Sequence, residues 1–391
     1  MLPEFYQFHL PTKVLYGPGI AFDFSHELAG FGIRRYFLVT DRVLHNLGIS
    51  ARIADRLKED GYEIPGSYID VPQDASVACV EEIARQARLA GAEGLLAVGG
   101  GSVIDAAKAA NCIFSKGGRL VEDYSGVSTL SEPLKPLIVI PTTAGTGSEC
   151  TLAAVIYDQE NATKLAFSDR FLLPNLAVLD PQITASMPPL LTAATGMDAL
   201  THAIEAYVSV DASPHSQALG QVAIELITNN IIRAVEDGND LEARGAMLIG
   251  ANLAGISFSH SMVGCVHSMA HATGGMARVP HGIANAILLP HGMDYNMNAC
   301  KHLYVRLARY LGGTRDVPDS DSSARTAICR VKELTKELNR LCGLPLRLRD
   351  VGVTEGMLPL IAKKAEEDGT AIYNPRLVTA EDIIVSLESA F

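Results

Sequence analysis

Positive charge is scarce in this 391-residue sequence. Its 32 lysines and arginines are outnumbered by 44 aspartates and glutamates, which gives a net charge of −12 at neutral pH. A chain with this excess of negative charge is repelled by phosphate backbones and by anionic membrane surfaces. We therefore expect neither nucleic acid nor a membrane among its partners.

Cysteine is sparse as well, and its distribution excludes two common kinds of site. The seven cysteines are odd in number, scattered along the chain and never spaced as CxxC. This pattern argues against a disulfide framework and against a thiolate zinc site, and it favours reduced thiols in the cytoplasm. The first residues lack a basic segment followed by an apolar one, so we expect no signal peptide.

Charged side chains are absent between residues 245 and 277. The segment is long enough to span a membrane. However, six glycines, Asn252 and three histidines interrupt it. We therefore expect a buried pair of helices in a large domain.

The pattern of apolar residues changes in character near residue 185. Before it, apolar runs that predict strands alternate with amphipathic segments that predict helices, which favours a parallel sheet flanked by helices. Beyond it, long Ala/Leu/Ile/Met-rich segments dominate. We predict an α/β dinucleotide-binding domain at 1–185 and an all-helical metal-binding and substrate domain at 186–391. The predicted strands are 36–40, 68–71, 94–98 and 136–140, and the predicted helices are 50–60, 76–90, 102–113, 192–209, 215–236, 240–258, 262–273 and 301–311.

Two loops rich in glycine and hydroxyl groups follow predicted strands. The first is Gly99-Gly100-Gly101-Ser102, which opens a helix, where free backbone N–H groups and the helix dipole favour an anion. We expect Ser102 both to cap this helix and to donate to a phosphate oxygen. The motif is not GxGxxG, and a plain tight turn is the alternative interpretation.

The second loop is Pro141-Thr-Thr-Ala-Gly-Thr-Gly-Ser-Glu149. Two such loops on one sheet predict a nucleotide site, because ligands of open α/β sheets gather at the carboxyl ends of strands. Asp41 follows the first predicted strand. Its carboxylate suits a ribose 2′-hydroxyl and repels a 2′-phosphate, which favours NAD over NADP; a helix N-cap is the alternative role.

Five acidic and imidazole side chains suggest a metal site. Asp198 and His202 are spaced i, i+4 and share a helix face, as do His267 and His271, and His281 follows in a Pro-His-Gly turn. Each histidine alone could be a hydrogen-bonded core residue. Together, one carboxylate and two or three imidazoles in apolar surroundings favour a divalent metal such as Fe²⁺, Zn²⁺, Co²⁺ or Ni²⁺. We expect the neighbouring Glu205 and Asp211 to lie on a solvated helix face.

These motifs resemble those of the iron-containing (group III) alcohol dehydrogenases, which include lactaldehyde reductase, 1,3-propanediol dehydrogenase and butanol dehydrogenases. The resemblance covers essentially the whole chain. The motifs that carry it are Gly99-Gly-Gly-Ser-x-x-Asp-x-x-Lys108, Pro141-Thr-Thr-Ala-Gly-Thr-Gly-Ser-Glu149, Gly196-Met-Asp-Ala-Leu-Thr-His-Ala-Ile-Glu205, Val266-His-x-Met-Ala-His271 with Pro280-His-Gly282, and Asn374-Pro-Arg with Thr379-x-Glu-Asp-Ile.

The resemblance implies a role for each matching residue. The four metal ligands would be Asp198, His202, His267 and His281, and His271 would be a non-ligand histidine near the nicotinamide, a candidate proton relay. Phe258 would line the substrate pocket. The residues implied for the cofactor are Asp41 at the adenosine ribose, Gly99, Gly100, Gly101, Ser102 and Asp105 of the glycine motif, Thr142, Thr143, Thr146 and Lys164 at phosphates and riboses, and Gln73, which replaces the family's usual asparagine.

The implied function is the interconversion of a small primary alcohol or diol and its aldehyde. Hydride would pass to or from NAD(H) in an interdomain cleft, with one divalent metal, Fe²⁺ or Zn²⁺, and the protein would be a homodimer or larger assembly. A glycerol-dehydrogenase-like zinc polyol enzyme is one alternative. A catalytically silent nucleotide- or metal-binding scaffold is another. The retention of all four ligands argues against a metal-independent relative such as maleylacetate reductase.

Overall fold

The computed structural model describes residues 3–161, 163–312 and 320–391. Among these residues, no helix combines the length and the apolar character that a membrane span requires.

The chain divides into two compact units. The α/β unit comprises His9–Thr143 and Gly147–Ser186, and the helical unit comprises Met1–Phe8, Ala144–Thr146 and Met187–Phe391. The described residues of the helical unit contain no β-strand. The predicted fold class, an α/β part followed by a helical part, is confirmed.

Among its described residues, the α/β unit has nine strands in two sheets. The larger sheet has the order β1-β9-β6-β4-β2-β3 and all its pairs are parallel, whereas the smaller one, β5-β8-β7, contains an antiparallel pair. The strands are β1 Lys13–Tyr16, β2 Tyr36–Thr40, β3 Ser67–Tyr68, β4 Gly94–Gly99, β5 Gly126–Val127, β6 Leu137–Pro141, β7 Ala153–Asp158, β8 Thr163–Ser168 and β9 Leu176–Leu179.

Helices cover both faces of the larger sheet. Successive residues of a strand point to opposite faces, so a strand that is covered on both sides reads as a continuous apolar run. In β2, Phe37 and Val39 join the core that α4 and α5 cover, whereas Leu38 joins the opposite core with α3. The helices of this unit are α1 Ser25–Leu28, α2 Arg42–Asn46, α3 Ile49–Glu59, α4 Val77–Leu89, α5 Gly101–Lys116, α6 Leu120–Tyr124 and α7 Pro181–Thr184.

Five strands were absent from the sequence prediction. The edge strand β1 is largely exposed, and its apolar run, Val14-Leu15-Tyr16, is shorter than those of the central strands. The four-residue β9 is too short to stand out, although it is fully buried. In the smaller sheet, β7 forms a hairpin with β8, and its buried residues alternate with partly or fully exposed ones. Strand β5 has only two residues.

The helical unit has eight α-helices among its described residues. They are α8 Pro189–Val208, α9 Pro214–Glu236, α10 Leu241–Ser259, α11 Cys265–Ala277, α12 His281–Tyr310, α13 Asp321–Cys342, α14 Leu358–Glu366 and α15 Ala380–Ala390. The uncharged segment 245–277 falls in α10 and α11, both of which bury most of their residues, as expected of a buried helix pair.

One helix boundary was predicted wrongly. The predicted helix at 301–311 begins twenty residues earlier, at His281, and α12 continues through Pro290. Proline in a helix interior removes a backbone hydrogen bond and commonly ends the helix, which is why the sequence suggested a later start. Consequently His281 is the first residue of a long helix and does not lie in a free turn.

Gly282 allows the start of α12 to approach α8 closely. A Cβ atom at this position would lie 2.5 Å from the carbonyl oxygen of Ala194, a distance that no side chain tolerates. The exposed Gly275 in α11 has no such neighbour within 4 Å. The glycine therefore serves the helix contact that brings His281 towards Asp198.

We predict opposite effects for alanine at these two glycines. Gly282→Ala should lower the free energy of unfolding by about 1–3 kcal/mol through overpacking. Gly275→Ala should raise it by roughly 0.5–1 kcal/mol, because alanine loses less conformational entropy in a helix. Chemical denaturation followed by circular dichroism measures both. Equal effects of the two substitutions would contradict the close contact at Gly282.

Candidate functional site

Four potential metal ligands from three helices lie together in the helical unit. Asp198 and His202 lie one turn apart on α8, His267 is in the first turn of α11, and His281 begins α12. One ligand atom from each lies within 4.8 Å of the other three. Three of these side chains are buried, and that of His281 is 34% exposed, which leaves one open side. The i, i+4 spacing of Asp198 and His202 thus places both side chains in one cluster, as the sequence predicted.

The lone pairs of this cluster outnumber the hydrogen-bond donors near it. The Nδ2 atom of Asn285 lies 2.6 Å from Oδ1 of Asp198, 3.1 Å from Nε2 of His281 and 3.3 Å from Nε2 of His267. An amide has only two hydrogens for these three acceptors. Nδ1 of His202 is also buried without a hydrogen-bond partner in the described part of the chain. A divalent cation fits this set of lone-pair atoms, because it can satisfy several of them at once.

The pKa shifts of three of the four potential ligands favour the forms that metal binding requires. Burial lowers the pKa of His267 well below its ordinary value, and the neighbouring imidazoles lower it further. Burial also lowers the pKa of His202. Burial raises the pKa of Asp198, but the surrounding histidines outweigh this effect and hold it below the usual value. Neutral imidazoles and an ionised carboxylate are the forms that bind a cation.

Glu205 is a functional candidate that the sequence analysis missed. The prediction of a solvated helix face was wrong, since its side chain is only 4% exposed. Its Oε2 atom lies 2.6 Å from Nδ1 of His267. With Nδ1–H donating to this carboxylate, the lone pair of Nε2 faces the cluster, as in carboxylate–histidine–metal triads. The available signal was its spacing, three residues after His202 and seven after Asp198 on the same helix face.

Glu205 also caps the helix that carries His267. The backbone N–H of Val266 donates to Oε1 at 2.7 Å, and that of His267 donates to Oε2 at 3.3 Å. The N–H of Cys265 donates to Oδ1 of Asn374 at 3.1 Å. Side chains from distant segments therefore satisfy the first N–H groups of α11. Burial raises the pKa of Glu205 to about 7, against the opposing effect of these backbone donors.

His271 and Phe258 both lie against the ligands. The ring of His271 stacks on His281 with 5.3 Å between centroids, and its Nδ1 lies 3.0 Å from Oδ2 of Asp368. The ring of Phe258 stacks on His202 with centroids 4.4 Å apart. The relay role of His271 and the substrate contact of Phe258 remain predictions, but the structure places both side chains beside the cluster.

The predicted cofactor residues of the α/β unit follow three neighbouring parallel strands. Asp41 follows β2, the glycine turn follows β4, and Thr142 follows β6. The N–H of Thr142 donates to the carbonyl of Gly99 at 3.1 Å, which joins two of these loops. Their positions at the carboxyl ends of adjacent strands match those of nucleotide loops in α/β sheets. Asp41 also caps α2, because its Oδ1 accepts from the N–H of Leu44 at 2.9 Å.

The glycine turn departs from its prediction in one respect. The N-cap of α5 is Gly100, without a side-chain cap, and Ser102 lies in the first turn. Ser102 therefore does not cap the helix, and its hydroxyl accepts a hydrogen bond from the N–H of Asp74 at 3.2 Å. A Cβ atom at Gly100 would lie 3.2 Å from the side chain of Thr143. A side chain at this position therefore requires Thr143 to shift by a few tenths of an ångström.

The remaining cofactor candidates have structural partners of their own. Asp105 accepts hydrogen bonds from Ser148 Oγ at 2.5 Å and from the N–H of Val155 at 3.0 Å. The ammonium of Lys164 pairs with Asp74, the residue after Gln73, at 2.7 Å. Thr146 belongs to the Ala144–Thr146 segment of the helical unit. Cofactor contacts of all these residues remain predictions.

We predict that Glu205→Gln weakens metal binding without removing a ligand. The amide keeps the size of the carboxylate but lacks its charge, so it fixes the tautomer of His267 less firmly. Loss of such a partner typically costs 10–100-fold in metal affinity. Competition with a chelator measures the dissociation constant. Asp211→Asn, which changes an exposed carboxylate just beyond α8, should leave the dissociation constant unchanged. Equal affinities of the wild type and Glu205→Gln would contradict the role of Glu205.

Comparisons with known proteins agree with this geometry. Residues 11–181 match the family described as "Iron-containing alcohol dehydrogenase", and residues 192–391 match "Fe-containing alcohol dehydrogenase family, C-terminal". The chain is 35% identical to the NAD-dependent methanol dehydrogenase of Bacillus methanolicus over 98% of this chain and 99% of that protein. It is 36% identical to lactaldehyde reductase of Escherichia coli (strain K12), over 96% of this chain and 97% of that protein.

A solved structure shows the same similarity in three dimensions. The crystal structure of a 1,3-propanediol oxidoreductase superimposes with a TM-score of 0.95 and 34% sequence identity, covering 99% of this chain and 100% of that one. Both halves of the sequence and the whole fold thus point to one family. The chain belongs to the iron-containing alcohol dehydrogenases.

Proposed function

We propose that this enzyme interconverts a small primary alcohol or diol and its aldehyde, with NAD(H) as the hydride partner and one divalent cation held by Asp198, His202, His267 and His281. The observation that carries the proposal is the meeting of these four ligand atoms within 4.8 Å in a dry, donor-poor setting. The family favours Fe²⁺, with Zn²⁺ as the alternative, and the N/O ligand set fits both ions.

The bound groups would supply the chemistry that side chains lack: the cation acts as a Lewis acid on the substrate oxygen, and the nicotinamide exchanges the hydride. The protein positions them. Because Asp198 is the one anionic side chain among the four, this ligand set would leave a 2+ ion with a net positive charge. The partial exposure of His281 supports an open side for the substrate oxygen.

His271 is proposed to carry the alcohol proton away. Its Nδ1–H donates to Asp368, whose other oxygen accepts from the N–H and the hydroxyl of Thr370 at 2.9 and 2.6 Å. This arrangement leaves Nε2 of His271 free to accept a proton, as in the histidine–carboxylate pairs of other enzymes. The side chain of His271 is 39% exposed, so solvent can receive the proton in turn.

The substrate is proposed to be a short alcohol, diol or the matching aldehyde. The relatives named methanol dehydrogenase, lactaldehyde reductase and 1,3-propanediol dehydrogenase support this class. Phe258, stacked on His202, would form an apolar wall beside the reacting carbon. A zinc polyol dehydrogenase and a catalytically silent scaffold are not favoured. Metal analysis with a panel of C2–C4 alcohols, diols and aldehydes distinguishes these functions.

We also propose a homodimer or larger assembly in the cytoplasm. Strand β1 lies at the edge of its sheet, and its Val14 and Tyr16 are 37% and 47% exposed; such an edge can pair with a second copy. No disulfide joins any of the seven cysteines, all of which lie in the described ranges. Light scattering would give a multiple of the chain mass, whereas a single chain mass would refute the assembly.

We predict that His267→Ala abolishes metal binding and alcohol oxidation together. The variant removes one of four ligands and leaves the buried Glu205 carboxylate without its imidazole partner, so the remaining three side chains should not retain the cation through purification. Elemental analysis and NADH absorbance with a C2–C4 alcohol measure the two losses, and circular dichroism verifies the fold. His302→Ala, at an exposed histidine of α12, is the matched control. Unchanged turnover in the His267 variant would refute the metal role.

We predict that Asp41→Ser shifts cofactor preference towards NADP. Serine can keep the N-cap hydrogen bond to Leu44 while it removes the charge that repels a 2′-phosphate. The ratio of kcat/KM for NAD to that for NADP should fall at least tenfold. Asp55→Ser, at an exposed carboxylate of α3, provides the charge control. A ratio equal to that of the wild type would remove Asp41 from the cofactor site.

A further inference from the structure

A cavity of about 320 Å³ lies in the α/β unit, at the amino ends of strands in the larger sheet, opposite the cofactor loops. Leu137, the first residue of β6, and Asn175, just before β9, contribute to its wall, as does Pro11 before β1. These positions are the amino ends of parallel strands, whereas the cofactor loops follow the carboxyl ends. The volume falls within the roughly 300–1,000 Å³ of small-molecule pockets.

Two cations that form no ion pair line this cavity. Arg170 and Lys135 form no ion pair within 4.0 Å among the described residues; each instead packs on a phenylalanine ring, Phe171 and Phe114, at 4.6 and 4.8 Å from the centroid. No aspartate or glutamate occurs among the described lining residues. Backbone N–H donors lower the pKa of Glu93, and Lys135 contributes to this shift, although this carboxylate is not part of the wall. In a chain with a net charge of −12, a wall that carries these two cations and no carboxylate indicates a site for an anion.

The other polar groups of the wall have defined roles. Lys108 donates to the carbonyl and hydroxyl of Thr151 and to the carbonyl of Ala153 at 2.8, 3.0 and 2.9 Å, so its three donors are used internally. Asn175 accepts from the N–H of Leu137 through Oδ1 at 2.9 Å, which leaves its Nδ2 as a further donor. Arg170, Lys135 and Asn175 thus offer donors at the cavity, and His9 also lines it.

Apart from His9 and Asn111, whose Nδ2 donates to the carbonyl of Lys135 at 2.8 Å, the rest of the wall is apolar. It is formed by Pro133, Leu134, Phe171, Leu172 and Leu173. Inorganic phosphate would leave this surface uncovered, whereas a carboxylate with a hydrocarbon tail covers it and matches the planar fork of arginine.

We propose that the cavity binds a short-chain carboxylate, with its head at Arg170 and Lys135 and its tail along the leucines. The ligand is a free, water-soluble monoanion of about four to eight carbons. Each methylene that enters the apolar wall should strengthen binding about fourfold. The site is independent of the metal cluster and of the loops that follow β2, β4 and β6.

Isothermal titration of the full-length enzyme, saturated with NAD⁺, tests the proposal. Butanoate, hexanoate and octanoate should bind with increasing affinity. Octanamide, which has the same tail but no charge, and inorganic phosphate, which has charge but no tail, should each bind at least tenfold more weakly than octanoate. Equal binding of octanamide or phosphate would overturn the proposal.

Two variants locate the binding. Arg170→Gln with Lys135→Gln should weaken octanoate at least tenfold, whereas Lys58→Gln with Arg119→Gln, which removes two exposed, ion-paired cations of the same unit, should not. Leu134→Trp should block the cavity, although Arg170 and Lys135 are retained. Thermal unfolding verifies the fold of each variant. Octanoate binding that survives in either cavity variant would refute this location.

Discussion

The hydrogen bond between Glu205 and His267 is the interaction on which the metal cluster depends. It fixes the imidazole tautomer, and the same carboxylate caps α11, so the helix and its ligand are held by one side chain from α8. Asp198 and His202 project from that same helix. A single helix thus supplies two ligands and the support for a third, which keeps the ligand geometry independent of flexible loops.

The fourth ligand depends on a close helix contact. Because Gly282 lets α12 begin against the carbonyl of Ala194, His281 can reach the cluster from the first position of its helix. The cluster then has a buried side, formed by α8 and α11, and a partly exposed side at His281 and His271. That asymmetry is what a catalytic metal site needs, since structural sites are closed whereas catalytic ones keep an open position.

Much of this arrangement could be predicted from the sequence, because it depends on local spacing. The i, i+4 pair on α8 and the apolar runs of β2, β4 and β6 follow from helix and strand periodicity. Glu205 could not be placed, since its burial depends on α11, which is sixty residues away in the chain. The start of α12 was missed because Pro290 ordinarily ends a helix. The edge strand β1 was missed because its apolar run has only three residues.

The metal ligands can be measured directly by X-ray absorption spectroscopy of the protein loaded with one equivalent of Fe²⁺ or Zn²⁺. The account predicts a coordination sphere of three imidazole nitrogens and one carboxylate oxygen at about 2.0–2.2 Å, with further light atoms only from solvent or substrate. A sphere with fewer than three imidazoles, or with sulfur at about 2.3 Å, would contradict the proposed ligand set.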